Sequence, residues 1–302
     1  MGHKILVIGS SNTDMVIKSK HLPRPGETVV GGTFLMNPGG KGANQAVAAA
    51  KLGGEVIFVA KVGTDVFGKE AVASLKSYGI NTDYVIEDPV HASGIALIMV
   101  DSYAENCISV ALGANANLQP SDLSNIDHWL NDASFILVQL EIPLLTVEYI
   151  IEKAKKKDVK IILNPAPAQE LSDHLLNGLD FITPNETEAE LLTGIRVVDL
   201  PSARKASNIL IEKGVKCVII TMGSHGVYVK DHTLDQMIPS FKVKAIDTTA
   251  AGDTFNGAFC TAMSEGMNIV EAIDLANQAA ALSVTKMGAQ SSIPYRDQIN
   301  NS

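Results

Sequence analysis

Short apolar runs alternate with helical segments of ten or more residues, and no other feature constrains the fold of this chain as tightly. Residues 4–10 (KILVIGS) are apolar at both parities and stopped by Gly9, the pattern of a strand buried on both faces of a parallel sheet. Residues 42–52 then read as helix, 55–62 as strand and 69–78 as helix. Further on come 134–141 (strand), 144–156 (helix), 159–163 and 180–183 (strands), 203–213 (helix) and 216–221 (strand). Parallel neighbours need a crossover, so the order predicts an α/β fold: a doubly wound, mostly parallel sheet flanked by helices. Ligands of such sheets bind at the carboxyl ends of the strands.

Two stretches interrupt the alternation. Residues 14–36 hold the extended runs MVIKSK and ETVVGGTFLM around Pro23-Arg24-Pro25-Gly26, and 94–112 hold GIALIMV and NCISVAL around a turn at 101–105. Strands without intervening helix pair antiparallel. We read them as one small β-sheet built from insertions at 12–37 and 93–112, leaving 1–11, 38–92 and 113–302 as the α/β core. In GIALIMV both parities are apolar, so both faces of this sheet need cover. One face closing over a ligand and the other meeting a second subunit would make it a lid and a dimer interface.

A net charge of −9 and a pI near 5.3 disfavour nucleic acid or an anionic membrane as partner. The first residues run straight into a strand pattern, and no apolar run reaches the roughly 18 residues of a membrane span. Cys107, Cys217 and Cys260 lack metal-ligand spacing and read as reduced, buried thiols. A cytoplasmic protein is expected.

Residues 247–257, DTTAAGDTFNG, carry the chemistry. Ala250, Ala251 and Gly252 form a small-residue turn before an apolar helix, whose first N–H groups and dipole make a pocket for an anion. Asp253 stands at its mouth. It is either a helix N-cap or a base that takes a proton from a hydroxyl attacking the anion. Asn12, Asp14, Lys41, Asn44 and Glu141 fall at strand ends on the same edge, a set suited to a polyhydroxylated ligand. Asn185 to Glu188 read as a capped helix start, or as a carboxylate site for hydrated magnesium. Thr221 to Gly226 form a glycine turn suited to a nucleotide, and the small residues of 267–286 (Ala276, Ala279, Ala280, Ser283) admit a close neighbour or a flat ligand. GTDVFGKE at 63–70 nearly spells a phosphate loop but has Glu70 where a hydroxyl is needed.

GSSNTD, GGKGANQA, QLEIP, LNPAPA, TPNETEAE, DTTAAGDTFNGA and KMGAQSS, in this order over essentially the whole chain, resemble the ribokinase (PfkB carbohydrate kinase) family. The resemblance implies an ATP:D-ribose 5-phosphotransferase with a ribokinase-like core and a lid-mediated homodimer. It makes Asp253 the base and the amides of Ala250, Ala251, Gly252 and Asp253 the anion hole. Ribose would lie on Asn12, Asp14, Gly40, Lys41, Asn44, Glu141 and Asp253. ATP would lie along Asn185, Thr221, Gly223, Ser224, His225, Gly226, Gly252 and Asn277, with Glu188 holding Mg2+ through water. The resemblance also implies K+ beside the anion hole, on side-chain oxygens of Asp247 and Ser292 and carbonyls of Thr249, Ser283, Lys286 and Gly288. Another sugar or nucleoside kinase of the family, such as a fructokinase or deoxyribose kinase, and a non-catalytic sugar-binding regulator are the alternatives.

Overall fold

The computed structural model describes residues 4–103 and 105–299. The extreme ends of the 1–11 and 113–302 segments, and Ala104 of the 101–105 turn, lie outside the described residues. In chain order the elements are β1 (Lys4–Ile8), β2 (Asn12–Lys18), β3 (Thr33–Gly39), α1 (Lys41–Lys51), β4 (Glu55–Gly63), α2 (Val66–Ser77), β5 (Asn81–Asp88), β6 (Gly94–Val100) and β7 (Asn106–Ala111). They continue with α3 (Ile126–Trp129), β8 (Ala133–Val138), α4 (Leu144–Lys157), β9 (Lys160–Leu163), α5 (Asp173–Leu176), β10 (Phe181–Ile182), α6 (Glu186–Thr193), α7 (Leu200–Glu212) and β11 (Cys217–Thr221). Last come β12 (Val227–Lys230), β13 (Asp235–Ile238), α8 (Ala251–Ser264), α9 (Ile269–Ser283) and α10 (Arg296–Ile299). No helix among the described residues is long and apolar enough to cross a membrane.

The large sheet runs β13-β12-β11-β10-β9-β8-β1-β4-β5 and is parallel except at β12 and β13. Both of its faces are covered, one by the core around Leu6, Ile8, Ile136, Val138 and Ile150, the other by that around Ile5, Val7, Phe58, Phe255 and Phe259. This double burial is why the strands read apolar at both parities. The chain leaves β1 to build β4 on one side and β8 on the other, so the carboxyl end of β1 borders the switch point where doubly wound sheets bind ligands.

The small sheet runs β3-β2-β6-β7. Each insertion pairs antiparallel within itself, and the two join along a parallel β2–β6 seam from Asn12 opposite Gly94 to Lys18 opposite Val100. Residues 27–32, expected in the extended run, are irregular, since Gly31 and Gly32 take φ of 94° and 127°, which breaks a ladder. The strand starts at Thr33 and continues to Gly39, beyond residue 37. In the single chain the apolar surface is open: Phe34 is 59%, Leu97 50% and Ile108 55% exposed. Cys107, expected to be buried, is exposed on β7, whereas Cys217 and Cys260 are buried.

Helices α1 and α8 cross at Gly257, where a Cβ would lie 2.5 Å from Ala48 Cβ and 2.6 Å from the Gln45 carbonyl oxygen. The missing side chain lets the two backbones approach. The near phosphate loop at 63–70 is a capped helix start: Asp65 accepts from the Gly68 N–H at 2.9 Å and from the N–H and hydroxyl of Ser93.

Candidate active site

Helix α8 begins at Ala251, with Ala250 at the cap in the left-handed region (φ 58°). Asp253 is therefore inside the first turn and does not cap it. Its buried carboxylate accepts from Asn44 Nδ2 at 3.0 Å (Oδ2) and Gln45 Nε2 at 2.9 Å (Oδ1), both on α1. Burial raises its pKa, and the Lys41 charge and the two amides act in the opposite direction. The Ala251 N–H is spent on the Thr248 carbonyl at 3.2 Å, and that of Thr254 on Ala250. Among the described residues the N–H groups of Ala250, Gly252 and Asp253 have no acceptor, so three of the four amides expected to form the anion hole are open.

The residues expected to hold a sugar converge here. Asn12 is buried, and its Oδ1 accepts from Asn115 Nδ2 at 2.8 Å. Glu141 lies in the turn after β8; its Oε2 accepts from the Ser10 hydroxyl and from the Lys41 N–H at 3.0 Å. Gly40 precedes α1 at φ 88°. Burial, with the Glu141 and Asp253 charges, raises the Asp14 carboxyl to about 6, although Lys41 lowers it. Burial lowers the Lys41 ammonium, but Asp253, Glu141, Glu188 and Asp14 together outweigh that and raise it. One cation thus faces four carboxylates.

Two cavities meet at Asn185, Thr221, Thr248, Ala251 and Gly252. The smaller, about 220 Å³, reaches Lys41, Glu188 and Asp253. The larger, about 710 Å³, runs out between Gly223, Ser224, Gly226, Asn277 and Ala280. His225 is exposed and does not line it. Residues that the sequence did not suggest complete it: Phe241, Lys242, Val243 and Ala245 of an irregular segment, with Phe255 and Ala281. A further cavity of about 350 Å³, near Lys160, Cys217 and Ile269, lies at the amino ends of the strands, away from these residues.

Asn185 and Glu188 form a reciprocal capping box, so the capping reading of that motif holds. Glu188 Oε2 accepts from the Asn185 N–H at 2.9 Å, and burial raises its pKa. At the other loop Asp247 Oδ1 accepts from the Thr249 N–H and hydroxyl, and Oδ2 from the Gly288 N–H at 2.9 Å. The Ser292 hydroxyl donates to the Ala289 carbonyl, and the Ser283 carbonyl already takes the Lys286 N–H at 3.3 Å. The carbonyls of Thr249, Lys286 and Gly288 have no donor among the described residues.

Behind Asp253 lies a buried amide network that the sequence reading missed. Gln45 Nε2 also donates to Asn164 Oδ1 at 3.0 Å, and Gln139 Nε2 donates to Gln45 Oε1. Gln290 Nε2 donates to Asn44 Oδ1 at 3.2 Å. The available signal was Gln45 and Gln139 standing inside otherwise apolar runs.

Residues 2–296 match the model of the pfkB family carbohydrate kinases. A ribokinase of Haemophilus influenzae is 47% identical over 298 residues, covering 99% of this chain and 97% of that protein. A deoxyribokinase of Salmonella typhi is 41% identical over 297 residues, covering 98% and 97%. Among solved structures, the Arabidopsis thaliana ribokinase complexed with ribose and ATP superposes with a TM-score of 0.93 at 33% identity, covering 100% of this chain and 98% of that one.

Proposed function

The chain belongs to the pfkB family of carbohydrate kinases, and on that premise we propose that it transfers the γ-phosphoryl group of ATP to the 5-hydroxyl of D-ribose. The observation that carries this reading is the position of Asp253: a buried carboxylate between the polar strand-end residues and a helix start that two cavities share. ATP would occupy the larger cavity with its terminal phosphate toward the open amides of Ala250, Gly252 and Asp253. Ribose would lie on Asn12, Asp14, Gly40, Lys41, Asn44 and Glu141. Asp253 accepts the proton of the 5-hydroxyl as its oxygen bonds to the γ-phosphorus, and the bond from phosphorus to the bridging oxygen breaks to release ADP. The Ala250, Gly252 and Asp253 amides and Lys41 meet the charge on the transferring group.

Glu188 suits a hydrated magnesium ion, because its buried carboxylate retains a second oxygen without a protein partner among the described residues. The unspent carbonyls of Thr249, Lys286 and Gly288 beside Asp247 suit a monovalent cation such as potassium, whose charge would steady the anion loop. A homodimer through the lid accounts for the exposed Phe34, Leu97 and Ile108. Lid and core as separate units at 12–37 with 93–112, and a cytoplasmic location, complete the reading.

ADP release across a panel of pentoses, hexoses and nucleosides tests the reaction. The highest kcat/KM is expected with D-ribose, and a higher rate with potassium than with sodium. A preference for 2-deoxyribose would assign the chain to the deoxyribokinase reaction, and no release with any sugar would defeat the kinase reading. A second expectation concerns Asp14. A carboxylate accepts hydroxyl hydrogen bonds better ionised, so ribose affinity measured calorimetrically without ATP should weaken as pH falls through about 6. Asp14→Asn should weaken binding above pH about 6, approach wild type below it and so remove that inflection; an unchanged pH profile in the variant would discount Asp14.

A further inference from the structure

Lys51, the last residue of α1, is 8% exposed, and no carboxylate pairs with it among the described residues. Its ammonium donates to the carbonyls of Gln290 at 2.8 Å and Ile293 at 3.0 Å. It also stands 5.1 Å from the ring centre of Tyr78 and 5.0 Å from that of Tyr295. Burial, with the Lys286 charge, lowers it to about 8, so it is a desolvated cation held by dipoles and aromatic faces alone. Taking an ammonium out of water costs stability, and here the two carbonyls and two rings are what offset that cost.

What it holds is the irregular segment 286–293, in which Gln290 reaches Asn44, the residue that touches Asp253. Gln290 Nε2 donates to Asn44 Oδ1, and Asn44 Nδ2 donates to Asp253 Oδ2. The Asn44 amide has two orientations. With Gln290 donating to its oxygen, its NH2 must point at Asp253. Without that donor the amide can turn and set a carbonyl oxygen against a carboxylate.

We propose that Lys51 is a positioning residue: by fixing the carbonyls of Gln290 and Ile293 it holds Gln290 against Asn44 and keeps the Asn44 amide aimed at the Asp253 carboxylate. The proposal rests on Asp253 being the base. Lys51→Met keeps the aliphatic stem and removes the charge; kcat is expected to fall about tenfold because the reacting geometry loosens, and the ribose KM is expected to rise with it, since Asn44 is also one of the residues placed on the sugar. Lys51→Arg, which can also donate to two carbonyls and stack on tyrosine, should restore most of the rate. Gln290→Met cuts the chain one link later and should reproduce the fall in kcat with Lys51 intact.

Wild-type kcat in Lys51→Met overturns the proposal, as does a loss that Lys51→Arg leaves unrestored and Gln290→Met does not share. If Lys51→Met does not fold, Gln290→Met decides, and wild-type kcat there overturns it. An inactive Asp253→Asn beside a fully active Lys51→Met defeats the proposal alone; a fully active Asp253→Asn defeats the reading of the base and the proposal with it.

Discussion

Asp253→Asn is expected to lower kcat by roughly 10²- to 10⁴-fold, the usual contribution of a positioned general base, while ribose still binds. An amide of nearly the same shape fills the site but cannot take the hydroxyl proton. It also meets two amide donors, from Asn44 and Gln45, so one neighbour must reorient, at a cost of about 1 kcal/mol. Against that, the substitution removes a buried charge whose pKa burial raises, so the melting temperature should hold or rise. Lost rate with undiminished stability separates a chemical role from a structural one. A kcat within threefold of wild type would rule Asp253 out as the base.

Gly257→Val should cost both stability and rate. A Cβ there lies 2.5 Å from Ala48 Cβ, 2.6 Å from Gln45 O and 2.8 Å from Ala49 N, two of the three being backbone atoms that cannot rotate aside. Overpacking of this kind costs about 1–3 kcal/mol. The helices it parts are the ones that carry Asn44 and Gln45 on one side and Asp253 on the other. Because a displacement near 1 Å can cost about 10²-fold, kcat should drop at least about tenfold even at temperatures where the variant stays folded. Wild-type melting and turnover in Gly257→Val would mean that α1 and α8 do not need this close approach.

The sheet was legible because strands buried on both faces leave an unbroken apolar signature, as Ile5, Leu6, Val7 and Ile8 do in β1. The start of α8 was legible too, since the small residues Ala250, Ala251 and Gly252 stand directly before an apolar run. The cap reading of Asp253 failed on a detail that no local pattern carries: the left-handed Ala250 starts the helix early enough to bring the carboxylate inside it. The wall formed by Phe241, Val243 and Ala245 was not legible, because irregular backbone has no period. The partners of Asp253 were out of reach for another reason, since Gln45 and Gln290 meet Asp253 and Asn44 only after α1, α8 and the 286–293 segment have packed. Thr28 to Val30 misled as β-branched residues, with the pair of glycines behind them deciding the backbone.

The parallel seam between β2 and β6 has a consequence for how the chain folds. Its two strands are separated in sequence by β3, α1, β4, α2 and β5, so neither can find the other until the core has brought residues 12 and 94 together. The Asn115 amide then ties the base of the seam to Ser11 and Asn12. Pairing of such sequence-distant strands is expected to close late in folding, and the amides of β2 and β6 to exchange faster than those of β1 and β8.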